Sequence, residues 1–62
     1  MAINMYYVYI IQSQKDNSLY KGSTSNLKER LIKHNKGDVS STKSKKPWKL
    51  VYYQAFVSKT DA

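Results

Sequence analysis

Residues 5–11 (MYYVYII) are apolar or aromatic at every position. A strand with one wet face alternates apolar and polar residues, so an unbroken run predicts a strand covered on both faces. Its Tyr, Val and Ile residues also favour the extended backbone. Gln12 to Ser18 is polar, and Lys15-Asp16-Asn17-Ser18 is a good turn sequence. Residues 19–23 (LYKGS) therefore read as the return strand of a hairpin. Asn26 is placed to cap a helix, with Glu29 three residues on as the partner of a capping box. Residues 27–36 follow a helical period, and Gly37 stands where a helix ends in a left-handed residue. Leu27, Leu31 and Ile32 form the apolar arc of this helix. Arg30 and His34 lie one turn apart on its flank, at the seam with the sheet. Asp38 to Lys46 is a polar loop rich in Ser and Lys, closed by Pro47. Residues 48–57 (WKLVYYQAFV) form the third strand, and Ser58 to Ala62 fade into polar residues.

These elements make one small α+β domain over residues 1–62, with a three-stranded, mainly antiparallel sheet (strands about 5–11, 19–23 and 48–57) and one helix at 27–36. A chain of this size hides only about 60% of its unfolded surface. The inventory does not balance, because a sheet with two strongly apolar strands and a single helix leaves an apolar face open. The expectation is that a second copy or a partner chain covers that face, or that a C-terminal helix is missing from this polypeptide.

Composition narrows the chemistry. There is no Cys, one His and four acidic residues, which excludes disulfides, a thiolate zinc site and a closed His/carboxylate metal cage. No metal ligand is assigned. No apolar run approaches the ~20 residues needed to span a membrane. The first residues have neither a basic region nor a small-residue cleavage site, so the expected location is the cytoplasm. Eleven Lys and Arg against four Asp and Glu give a net charge of +7. A polyanion partner follows, with nucleic acid ahead of an anionic membrane. Lys21, Lys43, Lys45 and Lys46 are the candidate contacts to a DNA phosphate backbone, although Lys21 faces away from its neighbour Tyr20 on a regular strand. A solvated lysine loop is the plainer alternative.

The hairpin and helix can bring Tyr9, Tyr20, Arg30 and His34 together. Phosphodiester cleavage needs a base for the attacking water and cations for the charge developing on phosphorus. It commonly also needs a divalent metal. Tyr can serve as a base, Arg offers a rigid fork for phosphate oxygens, and His can donate to phosphate or leaving group. Taken singly, each residue has an ordinary role. The tyrosines can be sheet aromatics, Arg30 a solvated charge and His34 a partner of the helix C-terminus.

Order and spacing carry more than the single residues. Tyr7-Val8-Tyr9, Leu19-Tyr20-Lys21-Gly22, Asn26-Leu27-Lys28-Glu29-Arg30, His34-Asn35 and Lys46-Pro47-Trp48-Lys49-Leu50-Val51-Tyr52-Tyr53 together resemble the GIY-YIG nuclease domain. The resemblance is to its small stand-alone members, similar to the nuclease domain at the N-terminus of excinuclease C, and it runs from about Met5 to Phe56. It implies a domain that cuts one DNA strand with Mg2+ or Mn2+, in repair, recombination, homing or restriction. By the same resemblance Tyr9 acts as or assists the general base, and Tyr20 orients water and phosphate. Arg30 stabilises the phosphate in the transition state, and His34 matches a position that is His in many stand-alone members. Tyr7 stands where the first motif is named for Gly. The resemblance also implies a metal-binding glutamate on a helix after the third strand, whereas Glu29 is the only glutamate before Ala62, and Gln54 is not read as its replacement. The expectation is a C-terminally incomplete domain, weakly active or inactive as 62 residues. The alternatives are a non-catalytic basic nucleic-acid-binding module, or a fragment that needs a partner chain.

Overall fold

The computed structural model describes the backbone of residues 2–60 and the side chains of residues 4–57. Its elements in chain order are β1 (Ala2–Ser13), β2 (Leu19–Thr24), α1 (Leu27–Lys36), a 3-10 turn (Lys43–Lys45) and β3 (Trp48–Thr60). The sheet order is β2-β1-β3, and both pairings are antiparallel. The α+β class and the three strands are as the sequence predicts, and the helix bounds agree. The expected helix after the third strand lies outside the described residues. Among those residues, no helix is long and apolar enough to cross a membrane.

The unbroken apolar run lies on the central strand, but its two faces are not equivalent. Tyr9, Ile11 and Ser13 are buried on the face that carries α1. On the other face Tyr6 is exposed, and Val8 and Ile10 are only half-buried. Cross-strand neighbours shield these: Val8 pairs with Ser23 and Gln54, Ile10 with Lys21 and Tyr52. The Tyr6 ring stacks on Phe56, with centroids 5.1 Å apart. Among the described residues no helix covers this face, and Tyr6 and Tyr52 on it stay exposed.

Backbone chemistry fixes the connections. In the β1–β2 turn, Asn17 takes the left-handed conformation (φ 66°), which Asn tolerates better than most residues. Asp16 Oδ1 accepts from the Ser18 hydroxyl at 2.7 Å and from its N–H at 3.0 Å. These bonds hold the Asp16 carboxyl well below the usual carboxylate range. At the start of α1 the Asn26 side chain accepts from Glu29 N–H at 3.1 Å. The return arm of the expected capping box is absent among the described residues: Asn26 N–H donates instead to Thr24 Oγ1 at 3.1 Å, and the Glu29 carboxylate pairs with Lys33 at 3.9 Å. The helix ends on Gly37 (φ 84°). Gly37 N–H donates to His34 O, and Asp38 N–H to Lys33 O, a two-bond closure of the last turn.

The core is small and mixed. Tyr9, Ile11 and Trp48 are its buried hydrophobic members, with Tyr20, Leu27, Leu31 and Leu50 packed against them. Ser13, His34 and Thr42 are fully buried beside them. Ile32, expected in the apolar arc, is 49% exposed; it lies well round the axis from Leu27, beyond the width that the sheet covers.

Candidate active site

Tyr9 directly faces Gly22 across the β1–β2 ladder. A Cβ at Gly22 would lie 2.6 Å from Tyr9 Oη and 2.8 Å from Cζ. The phenol therefore crosses the neighbouring strand through space that only glycine leaves free. That path delivers Tyr9 Oη to His34 Nε2 at 2.9 Å, in a buried contact. His34 is brought there by the third turn of α1, whose sheet-facing stripe also includes Leu27 and Leu31.

The other ring nitrogen is also engaged. His34 Nδ1 lies 2.7 Å from Thr42 Oγ1, again in a buried contact. Tyr20, half-buried on β2, sets its ring edge-on to His34 at 5.3 Å and to Trp48 at 6.3 Å. His34 thus sits between the edge-on rings of Tyr9 and Tyr20, with a hydroxyl at each nitrogen. Burial, and secondly the charge of Arg30, push the His34 pKa below its ordinary value, which favours the neutral imidazole. Arg30 is half-exposed one turn before His34 and forms no ion pair among the described residues.

The structure therefore gathers Tyr9, Tyr20 and His34 into one cluster, with Arg30 near its solvent side. It separates the four candidate lysines. Lys21 projects from β2 on the face opposite Tyr20. Lys45 pairs with Asp16 at 3.4 Å and is tied to the hairpin turn. Lys43 and Lys46 gather beside Gly37 at the end of α1. The Ser- and Lys-rich loop is built rather than merely polar: Ser13 Oγ donates to Lys45 O at 2.6 Å, and Trp48 Nε1 donates to Thr42 O at 2.9 Å.

Thr42 holds the second nitrogen of His34 without being singled out from the sequence, and Asn35 and Trp48, read there only within longer segments, brace it. The one available signal is physical: a buried imidazole needs a partner at each nitrogen, and Tyr9 supplies only one.

A divalent metal does not fit the described residues. No group of three or more His, Cys, Asp or Glu side chains converges among them. Both nitrogens of His34 are taken by hydroxyls, Glu29 is turned to Lys33 on the helix surface, and Asp16 is held in the hairpin turn. An open apolar groove of about 530 Å3, lined by Tyr7, Leu27, Leu31, Leu50 and Tyr53, runs along the other flank of α1.

Residues 5–62 match the GIY-YIG catalytic domain, and the chain belongs to the GIY-YIG family. It is similar to a UPF0213 protein of Staphylococcus haemolyticus, at 47% identity over 58 residues, covering 92% of this chain and 70% of that protein. A UPF0213 protein of Pediococcus pentosaceus is 41% identical over 61 residues, covering 97% and 63% of the two chains. A third, from Clostridium perfringens, is 46% identical over 59 residues, covering 94% and 62%. The chain thus spans less than two thirds of the length of the last two relatives. No solved structure matches it with significance.

Proposed function

We propose that this chain carries the base and phosphate-binding part of a DNA-cleaving nuclease site. The carrying observation is the 2.9 Å contact between Tyr9 Oη and Nε2 of His34, whose neutral form is favoured by burial and Arg30. A neutral imidazole can accept the phenol proton as the phenol takes one from the attacking water. Arg30 offers its fork to the non-bridging phosphate oxygens, where charge builds as the water oxygen bonds to phosphorus and the P–O bond to the leaving group breaks. Tyr20, edge-on to the same imidazole, orients water and phosphate. The Mg2+ or Mn2+ that the family resemblance implies would be held by groups outside the described residues. No step here runs through it, and the 62-residue chain is expected to cut slowly. Lys43 and Lys46, and more distantly Lys21 and Lys45, add sequence-independent contacts to the DNA backbone.

The test is plasmid nicking by the chain in Mg2+ or Mn2+, compared with Tyr9→Phe and Arg30→Ala. The expected result is slow nicking abolished in both variants. Nicking that persists unchanged in both refutes the assigned site.

One observation favours a second reading, a non-catalytic nucleic-acid-binding module. Tyr9 is only 2% exposed and His34 is fully buried, so their pairing also serves the core. Absence of nicking together with DNA affinity that falls steeply over a salt series supports this module. The exposed Tyr52, Tyr53 and Val57 side chains would further suit a second copy or a partner chain, which sedimentation over a concentration series would reveal.

A further inference from the structure

We propose that Thr42 is a positioning residue that accepts from His34 Nδ1–H, in the tautomer that leaves Nε2 free to accept from Tyr9. The use of that tautomer in cleavage rests on the nuclease reading, but the tautomer itself does not.

The argument is a count of protons. Tyr9 and Thr42 bring one hydroxyl proton each, and a neutral imidazole brings one N–H. Thr42 Oγ1 lies 2.7 Å from His34 Nδ1 and 3.4 Å from Val39 O. In one arrangement Tyr9 O–H donates to Nε2, Nδ1–H donates to Thr42 Oγ1, and Thr42 O–H donates to Val39 O. Every proton then has an acceptor. In the opposite arrangement Thr42 donates to Nδ1 and Nε2–H donates to Tyr9. The Tyr9 proton is then left in a nearly closed site without an acceptor among the described residues, since His34 is its one hydrogen-bond partner there. A buried donor without an acceptor is the costlier outcome. Val39 O does not decide the matter alone, because it already accepts from Thr42 N–H at 3.1 Å and Lys43 N–H at 3.0 Å.

Thr42 is held in place by bonds that do not involve His34. Its carbonyl accepts from the Trp48 indole at 2.9 Å and from Lys45 N–H at 3.1 Å. Trp48 is in turn gripped by the residue that follows His34 on α1: Asn35 Oδ1 accepts from Trp48 N–H at 2.6 Å, and Asn35 Nδ2 donates to Trp48 O at 3.2 Å. The circuit His34, Thr42, Trp48, Asn35 closes on the helix that carries the imidazole. It sets the distance and direction of the hydroxyl at Nδ1 independently of substrate. The same hydroxyl can accept from Nδ1–H while Nε2 holds the proton received from Tyr9, so the ring need not turn during proton transfer.

The chain has a single His, so 15N labelling of histidine gives two unambiguous ring resonances. Wild type is expected to show a pyrrole-type Nδ1 and a pyridine-type Nε2 at neutral pH. Thr42→Val removes the acceptor at nearly constant volume; because the Tyr9 proton still needs Nε2, the ring is expected to stay protonated on Nδ1 with that N–H unpartnered and its 15N and 1H resonances moved, whereas Thr42→Ser restores the wild-type shifts. A wild-type ring protonated on Nε2 overturns the proposal, and that measurement needs no variant to fold. So does an Nδ1–H signal unchanged in a folded Thr42→Val chain. In the nicking assay, Thr42→Val is expected to lower kcat about tenfold or more with KM unchanged, since a histidine base without its Nδ1–H acceptor loses rate rather than binding. An Nδ1–H resonance that responds to Thr42 supports the positioning role even where Tyr9→Phe leaves nicking unchanged. That result removes the catalytic reading alone.

Discussion

Gly22→Ala tests the packing on which the site depends. The added methyl would sit 2.6 Å from Tyr9 Oη, 2.8 Å from Cζ and 3.2 Å from Cε1. The first two are closer than real Cβ contacts come and the third is tight, so the ring must retreat by the better part of an ångström. It has little room, because Tyr9 is 2% exposed and bonded to His34 at 2.9 Å. Over-packing of this kind costs about 1–3 kcal/mol, and a buried hydroxyl that loses its partner about 1–3 kcal/mol more. Relief of glycine's backbone entropy in a strand returns roughly 0.5–1 kcal/mol. The net loss is about 1–5 kcal/mol, centred near 3, against a total stability of about 3–9 kcal/mol at the usual 0.05–0.15 kcal/mol per residue. Thermal unfolding followed by circular dichroism should show Tm lowered by about 10 °C or more, at roughly 4–8 °C per kcal/mol for a domain this small. The Gly22→Ala, Tyr9→Phe double variant should recover part of the loss, because the 2.6 Å contact disappears with the hydroxyl while the ring contacts remain. A Gly22→Ala Tm within about 2 °C of wild type, less than about 1 kcal/mol on that scale, refutes the claim that glycine is needed for the ring's passage.

Two further outcomes are expected. His34 has its pKa lowered by burial and by Arg30, so the unfolded chain binds a proton that the folded one resists. Stability is therefore complete above the unfolded value of about 6.5 and falls as pH drops from there through the folded pKa. Urea unfolding at pH 7.5, 6.5 and 5.5 should show the midpoint falling, and His34→Gln should flatten that slope; an equal slope in the variant contradicts the assignment. Asn26→Ala removes the acceptor of Glu29 N–H and should lower stability by about 1 kcal/mol, with Asn26→Ser largely restoring it. No loss in the alanine variant would show that the helix start is held by other contacts.

The parts of the fold legible in the sequence are those set by local chemistry. The bounds of α1 are fixed by Asn26 and Gly37, each of which acts on backbone within one turn. The strands extend further than their apolar cores, to Ala2 and Thr60, because β1–β3 pairing continues through Asn4 and Ser58 by backbone bonds alone. The side-chain alternation of β2 (LYKGST) places Tyr20 and Gly22 inward and Lys21 outward, as its short pattern allows. What the sequence hides is long-range. Thr42 looks like one more hydroxyl in a Ser- and Lys-rich loop, and only the closed structure places it against an imidazole eight positions earlier. Asn35 could as well be a solvated residue on a helix end, until Trp48 arrives at its amide. The bulge between Ile10 and Ile11, which pairs them with Tyr52 and Leu50 and passes over Val51, has no local signature either.

The largest fully buried side chains are Tyr9, Ile11, His34, Thr42 and Ser13. Much of the interior of this domain therefore consists of the groups assigned to its chemistry. In a larger protein a reactive cluster can be altered while a separate hydrophobic interior keeps the chain folded. Here the two functions share residues, so selection on either is selection on both. Loss of the Tyr9–His34–Thr42 chain would first appear as a shorter-lived or less abundant protein. The sequence space open to a retired, non-cutting descendant is correspondingly narrowed, because changes at the site also cost stability.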